Sequence, residues 1–178
     1  MIDRLSYHYF NAGLENAKAR MISAAVDNLW KSLSYDRSNN EAWKLLGLCC
    51  YRLGRLGTAE YCWTQCLYLH NGEADPSVYD YIKDVRMTAE KVRPYITAAF
   101  DLSTQKKYKK ASTVFRKNVI PFLNCQADIF NCLGILYKQA GRKRKALREW
   151  KKALIIDYSG KTAAWYIACS ERNGKDLL

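Results

Sequence analysis

Among the 178 residues, the side chains that most often ligate metals or serve as nucleophile and base near neutral pH are two histidines and seven cysteines. His8 and His70 lie far apart, and neither has a nucleophile or carboxylate placed to work with it. The sequence holds no phosphate-binding glycine loop, no HExxH and no GxSxG. Cys49, Cys50, Cys62 and Cys66 have the number for a zinc site but not the spacing. No CxxC pair occurs, and adjacent Cys49 and Cys50 point about 100° apart on a helix. Cys50, Cys66 and Cys132 instead fall on helix faces, where a free cysteine acts as a small buried hydrophobe. An odd number of cysteines and no sign of secretion argue against disulfides and for a reduced, intracellular set. These patterns predict a protein that is not an enzyme and uses no metal or cofactor.

What remains is charge. Residues 1–104 carry 12 Lys+Arg against 12 Asp+Glu, whereas residues 105–178 carry 17 against 5, so the whole net charge of +12 lies in the second part. It is densest at Lys106, Lys107, Lys109 and Lys110, and again at Arg142, Lys143, Arg144 and Lys145. Such clusters suit a polyanion, either nucleic acid or an anionic membrane surface, or simply a solvated face. Aromatics do not alternate with these lysines as they would on a single-strand stacking platform.

The elements that must carry these groups are helical and recur. In 127–160, Phe130, Leu133, Gly134 and Tyr137 share one helix face, Gly141 breaks the pattern, and Ala146, Trp150 and Ala153 share the next. From Asn40 to Gly72 the same roles fall to Trp43, Leu46, Gly47 and Cys50, then Gly54, then Ala59, Trp63 and Cys66. Fainter copies run through Tyr9, Ala12, Gly13, Ala25, Leu29 and Ser32, and through Tyr95, Ala98, Ala99, Leu102, Tyr108, Ala111, Phe115 and Asn118. Small residues at Gly13, Gly47, Ala99 and Gly134 let paired helices approach, and the aromatics fill the remaining space.

This pattern resembles the tetratricopeptide repeat (TPR), a helix-turn-helix unit of about 34 residues. The resemblance implies an all-α, right-handed α-solenoid. It would form a single domain over 1–178, with repeats at about 6–39, 40–73, 92–126 and 127–160. A helix at about 76–91 is inserted, and a capping helix at about 162–172 covers the last face, with Trp165 in the aromatic role. At 49% apolar, the chain can fill a proper core, and no apolar run approaches a membrane span.

Local signals place the boundaries. The second helix should run from near Ser23 to Tyr35, and Ser38 or Asn39 can cap the third. Asn71-Gly72 reads as a turn, and Asp75-Pro76 as a helix start. The next match to the Trp43 role, Tyr95, arrives 18 residues late. Val78, Ile82, Val85, Ala89, Val92, Ile96 and Ala99 form a stripe that is either one bent helix or two, with Pro94 expected to kink or break it. Pro121 ends the helix that begins at Tyr108, and Asn173-Gly174 should end the last one. No signal peptide is visible, and the chain stops four residues later, as an excerpt of a longer protein would.

The resemblance also implies a scaffold that binds peptide segments in a groove lined by the first helix of each repeat. Its best-known form holds a C-terminal carboxylate with a lysine and, one turn on, an asparagine. The matching pairs here are Lys44 with Leu48 and Phe10 with Leu14, so the asparagine is missing and that clamp is not expected. The groove face comprises Phe10, Leu14 and Lys18; Lys44, Leu48, Tyr51 and Arg52; Ile96, Phe100 and Thr104; and Asn131, Ile135 and Lys138. One large apolar side chain stands at the same height in each repeat, which predicts a partner with apolar anchors and some acidic residues, unless the inserted helix fills the groove. Two other readings are polyanion binding by the basic clusters and the soluble part of a membrane-anchored protein. Oligomeric state is left open.

Overall fold

The computed structural model describes residues 2–69 and 75–175. Those residues are helical throughout, without a strand: α1 Ile2–Lys18, α2 Ile22–Tyr35, α3 Asn40–Leu53, α4 Leu56–Leu69, α5 Pro76–Thr104, α6 Tyr108–Asn118, α7 Ala127–Gln139, α8 Lys143–Ile156 and α9 Lys161–Lys175. His70 and the Asn71-Gly72 turn lie outside the described residues. The chain divides into two compact units, Met1–Ala89 and Glu90–Leu178. In the first, α1 packs on α2, α2 on α3 and α3 on α4; in the second, α6 packs on α7, α7 on α8 and α8 on α9.

Helix pairing follows from one close contact. A Cβ built on Gly47 would stand 2.3 Å from Trp63 Nε1, and one built on Gly134 would stand 2.3 Å from Trp150 Nε1. The indole of the second helix thus occupies the space that any side chain on the first would need. At the weaker copies the same spacing pairs Gly13 with Leu29, at 2.8 Å from a built Cβ to Cγ, and Ala99 with Phe115. The smaller partner residue there leaves more room. All four partner side chains are buried.

A second device recurs in the turns. Among the described residues Arg20, Gly54, Lys106 and Gly141 have positive φ, and each sits between the two helices of a repeat. The residue after each donates its N–H back five residues: Met21 to Asn16 O, Arg55 to Cys50 O, Lys107 to Leu102 O and Arg142 to Tyr137 O. This is the helix stop in which one left-handed residue lets the next N–H reach an orphan carbonyl.

Starts and stops are locally encoded as well. Asn39 Oδ1 accepts from Ala42 N at 3.0 Å and caps α3. Asp75 Oδ1 accepts from Ser77 N at 2.9 Å, just before Pro76 opens α5. Asp36 and Asp157 close α2 and α8, each accepting from the N–H and hydroxyl of the serine two residues on. The expected stop at Asn173-Gly174 is not used, because α9 continues to Lys175.

Of the two alternatives the stripe left open, one helix or two, the chain takes the first: Pro94 does not break α5, which is continuous for 29 residues. Proline removes one N–H, so the carbonyl four residues back loses its partner. That residue is Glu90, which is exposed like Pro94, so water can meet the orphaned acceptor. The front of α5 serves the first unit. Val78, Ile82 and Val85 are buried, and Tyr81 lies against Trp63 with ring centroids 5.1 Å apart. In the second unit α9 presents Tyr166 to Trp150 in the same way, at 4.6 Å. Segment 76–91 thus plays the part of a repeat's first helix, and the back of α5, with Val92 and Ala99 buried, opens the next repeat.

Three outcomes follow from this packing. Gly47→Ala should lower the unfolding free energy by about 1–3 kcal/mol in urea melts. Adding Trp63→Leu should make the combined loss smaller than the sum of the two single losses, while exposed Lys151→Leu stays within about 0.5 kcal/mol of wild type. Arg20→Gly should stabilise by up to about 1 kcal/mol by relieving the left-handed strain.

The third outcome concerns acid. The Lys44 ammonium, then the Ser77 N–H and hydroxyl, hold the Asp75 carboxyl down at about 2. A depressed carboxyl contributes stability above its ordinary range and loses it as pH falls through about 2. The difference in urea midpoint between wild type and Asp75→Asn should therefore be full at neutral pH and close as pH drops to about 2.

Candidate functional site

The candidate groove residues part company once packed. In the first unit, Phe10, Leu14, Leu48 and Tyr51 are half-buried, with Tyr51 6.2 Å from the Trp63 ring. Lys18 pairs with Glu15 at 2.8 Å, and Lys44 pairs with Asp75 at the start of α5. The Asp75 carboxylate raises the Lys44 ammonium above its ordinary value. Neither lysine is left over for a partner's acid, while Arg52 stays exposed.

In the second unit, three candidates converge. Ile96 and Phe100 on α5 and Ile135 on α7 line one apolar trough of about 240 Å³, together with Ala99, Ser103, Phe115, Cys132 and Leu136. Phe100 is 66% exposed, and Ile96 is exposed beside it. Thr104, at the end of the same stripe, is exposed but does not line the trough. Asn131 belongs to the core instead, 7% exposed, donating Nδ2 to Asp128 Oδ1 at 3.3 Å. Lys138 leans on α9, with its ammonium 4.7 Å from the Tyr166 ring and 5.9 Å from that of Trp165. Trp165 itself is 59% exposed, so it does not fill the buried place that Trp43 and Phe130 hold.

Next to the trough lies the basic edge. Lys106, Lys107, Tyr108, Lys109 and Lys110, with Gln139 and Ala140, line a cleft of about 380 Å³. Arg142, Lys143, Arg144 and Lys145 follow directly and line a shallow hollow with Gly141. All eight cations are exposed. Lys107 Nζ donates to Gln105 Oε1 at 2.8 Å and Lys145 lies over the Tyr137 ring at 5.9 Å, but none of the eight pairs with a carboxylate among the described residues.

The four cysteines of the first unit are closed to chemistry from outside. Cys49, Cys50, Cys62 and Cys66 are free and buried. A hydrogen bond from Cys62 to Cys50, aided by burial, pushes the Cys62 thiol up, and the same hydrogen bond draws Cys50 down against its burial. Burial raises Cys66 to about 11. Among the described residues no three His, Cys, Asp or Glu side chains gather as a metal would require. Cys132 departs from the expectation of a buried thiol. It is exposed at the trough because it points away from the Phe130, Leu133 and Gly134 face.

Two features were not anticipated. Trp30, Leu33, Trp43, Tyr61 and Leu69 border a further cleft of about 320 Å³ in the first unit. Trp43 sits edge-on to Trp30 and Tyr61 there and donates Nε1 to Arg37 O at 2.9 Å. Glu149, buried on α8, holds Lys152 at 2.8 Å and Arg148 at 3.3 Å. No sequence motif marks either.

No family model matches the sequence, and no curated protein sequence does. Solved structures do share its architecture. The TPR domain of P58(IPK) is 17% identical with a TM-score of 0.64; the match covers 96% of this chain and 46% of that one, so this chain spans less than half its length. PilF of Pseudomonas aeruginosa is 16% identical over 98% of this chain and 71% of its own, with a TM-score of 0.42. MamA from Desulfovibrio magneticus RS-1 is 16% identical over 96% of both chains, with a TM-score of 0.41. No described helix is long and apolar enough to cross a membrane. Repeated helix pairs closed by a small residue against a large one, and the likeness to the P58(IPK) domain, give one conclusion: the chain has the all-α helical-repeat fold of the tetratricopeptide class.

Proposed function

We propose that this chain is a non-enzymatic protein-interaction module that holds a partner's peptide segment in the trough of its second unit. The observation that carries this reading is the exposure of Phe100 and Ile96 beside Ile135, in a place where a merely solvated first helix would be polar. An exposed apolar patch of this kind marks contact with another molecule, and a row of anchors at helical spacing suits a helix or extended segment laid in a groove. The corresponding face of the first unit is a weaker candidate, since Lys44 is engaged by Asp75 and its apolar members are half-buried.

The test is selection of a displayed random peptide library on the purified protein. Recovered peptides should carry large apolar anchors and should shield Cys132 from alkylation, because that thiol lines the trough. Phe100→Asp should weaken them by about tenfold or more, as loss of one well-packed anchor does, with a nearly unchanged melting temperature since Phe100 is largely exposed. Peptides that bind Phe100→Asp as tightly as wild type would move the binding surface elsewhere.

A further inference from the structure

We infer that the segment held in the trough carries an acidic run beside its apolar anchors, read by the lysines of the turn between α5 and α6 and of the first turn of α6. This rests on the groove reading above. The trough and the basic cleft adjoin: the trough lies on α5 and α7, and the cleft on the turn that leaves α5, the start of α6 and the end of α7. From Phe100 and Ser103 on α5 the lining passes to Lys106 and Lys107 in the turn beyond it; from Ile135 and Leu136 on α7 it passes to Gln139 and Ala140 at that helix's end. At about 1.5 Å per residue, Phe100 stands about 6 Å from the end of α5 at Thr104, and the lysines follow in the turn directly after it. Acidic residues that reach the cleft therefore lie within about two turns of the anchor in a helix or about two to four positions from it in an extended strand, all on the one side that the segment's direction sets.

The fold does not need these cations. Lys109 and Lys110 stand in the first turn of α6 and Lys143 to Lys145 in that of α8, with no acid in either turn and no side-chain cap on Lys107 or Arg142. Cations at a helix N-terminus oppose its dipole. The matching helices of the first unit open with Ile22-Ser23-Ala24 and Leu56-Gly57-Thr58, which carry no charge. The clusters thus act against local stability in the one unit that also has the open trough, and an anion from outside reverses that balance.

A peptide fits better than other polyanions. No exposed aromatic stands in 105–110 or 140–145 to stack a base, and no exposed large apolar side chain there could enter a bilayer, whereas the apolar trough directly adjoins.

The peptides selected on the wild-type protein test this. They should show Asp or Glu enriched on one side of the anchor, within about two helical turns of it or about two to four positions of it if extended. Their affinity should fall about tenfold between about 50 and about 300 mM salt, since several ion pairs form. Lys109→Gln with Lys110→Gln should weaken the acidic peptide severalfold yet leave its Asn/Gln-substituted version unaffected. That variant should melt no lower than wild type, because it removes charge that opposes the helix dipole. Anchored peptides with no acidic bias, lost on Phe100→Asp but indifferent to salt, would overturn the inference and leave the groove standing. A 20-base-pair duplex, or an acidic peptide without anchors, that binds through the lysines as tightly as the anchored peptide would also overturn it. Recovery of no peptide at all would sink both readings.

Discussion

Everything in this fold depends on how near two helices can come. Where Gly47 faces Trp63 and Gly134 faces Trp150, the glycine yields its whole side-chain volume to an indole. The large side chain then reaches past the crossing to a third helix, where Tyr81 or Tyr166 meets it. One glycine–tryptophan pair therefore fixes three helices at once. Leu29 fills the equivalent place opposite Gly13 in the first copy, and Phe115 stands at the same spacing from Ala99, which keeps its Cβ.

This contact also explains why a first helix must follow the last second helix of each unit. Without α9, Trp150 would lose the ring stacked on it; without the front of α5, so would Trp63. The extra residues that disturb the 34-residue period supply that covering helix, and the chain then reuses the back of the same helix to begin again.

Much of the fold was legible because its signals are local. Asn39, Asp75-Pro76, Gly54 and Gly141 act on backbone groups within five residues, so their meaning survives without knowledge of the rest. The helix faces were legible because Trp43, Leu46, Gly47 and Cys50 and their equivalents obey one periodicity. What escaped depends on distant residues or on solvent. Lys44 finds Asp75 31 positions away, and no pattern within a helix discloses that. Lys138 turns to rings on the following helix. Whether Pro94 would bend or break its helix stayed open because the cost of a lost N–H depends on whether the freed carbonyl meets water. Arg20 and Lys106 take a backbone conformation that their residue types disguise, although their place in the repeat matches Gly54 and Gly141.

Pro94 has one more consequence. The division between the two units falls inside α5, between Ala89 and Glu90, and Glu90 is the residue whose carbonyl the proline leaves without a donor. The longest helix of the molecule is therefore weakest in hydrogen bonding just where membership passes from one core to the other. Local opening there breaks one backbone bond fewer than anywhere else in the helix interior, and it exposes neither Val85 nor Val92, each held in its own core. Cooperative blocks of structure separate at such points. The seam lets one unit loosen while the other keeps its amides protected, even though a single helix runs through both.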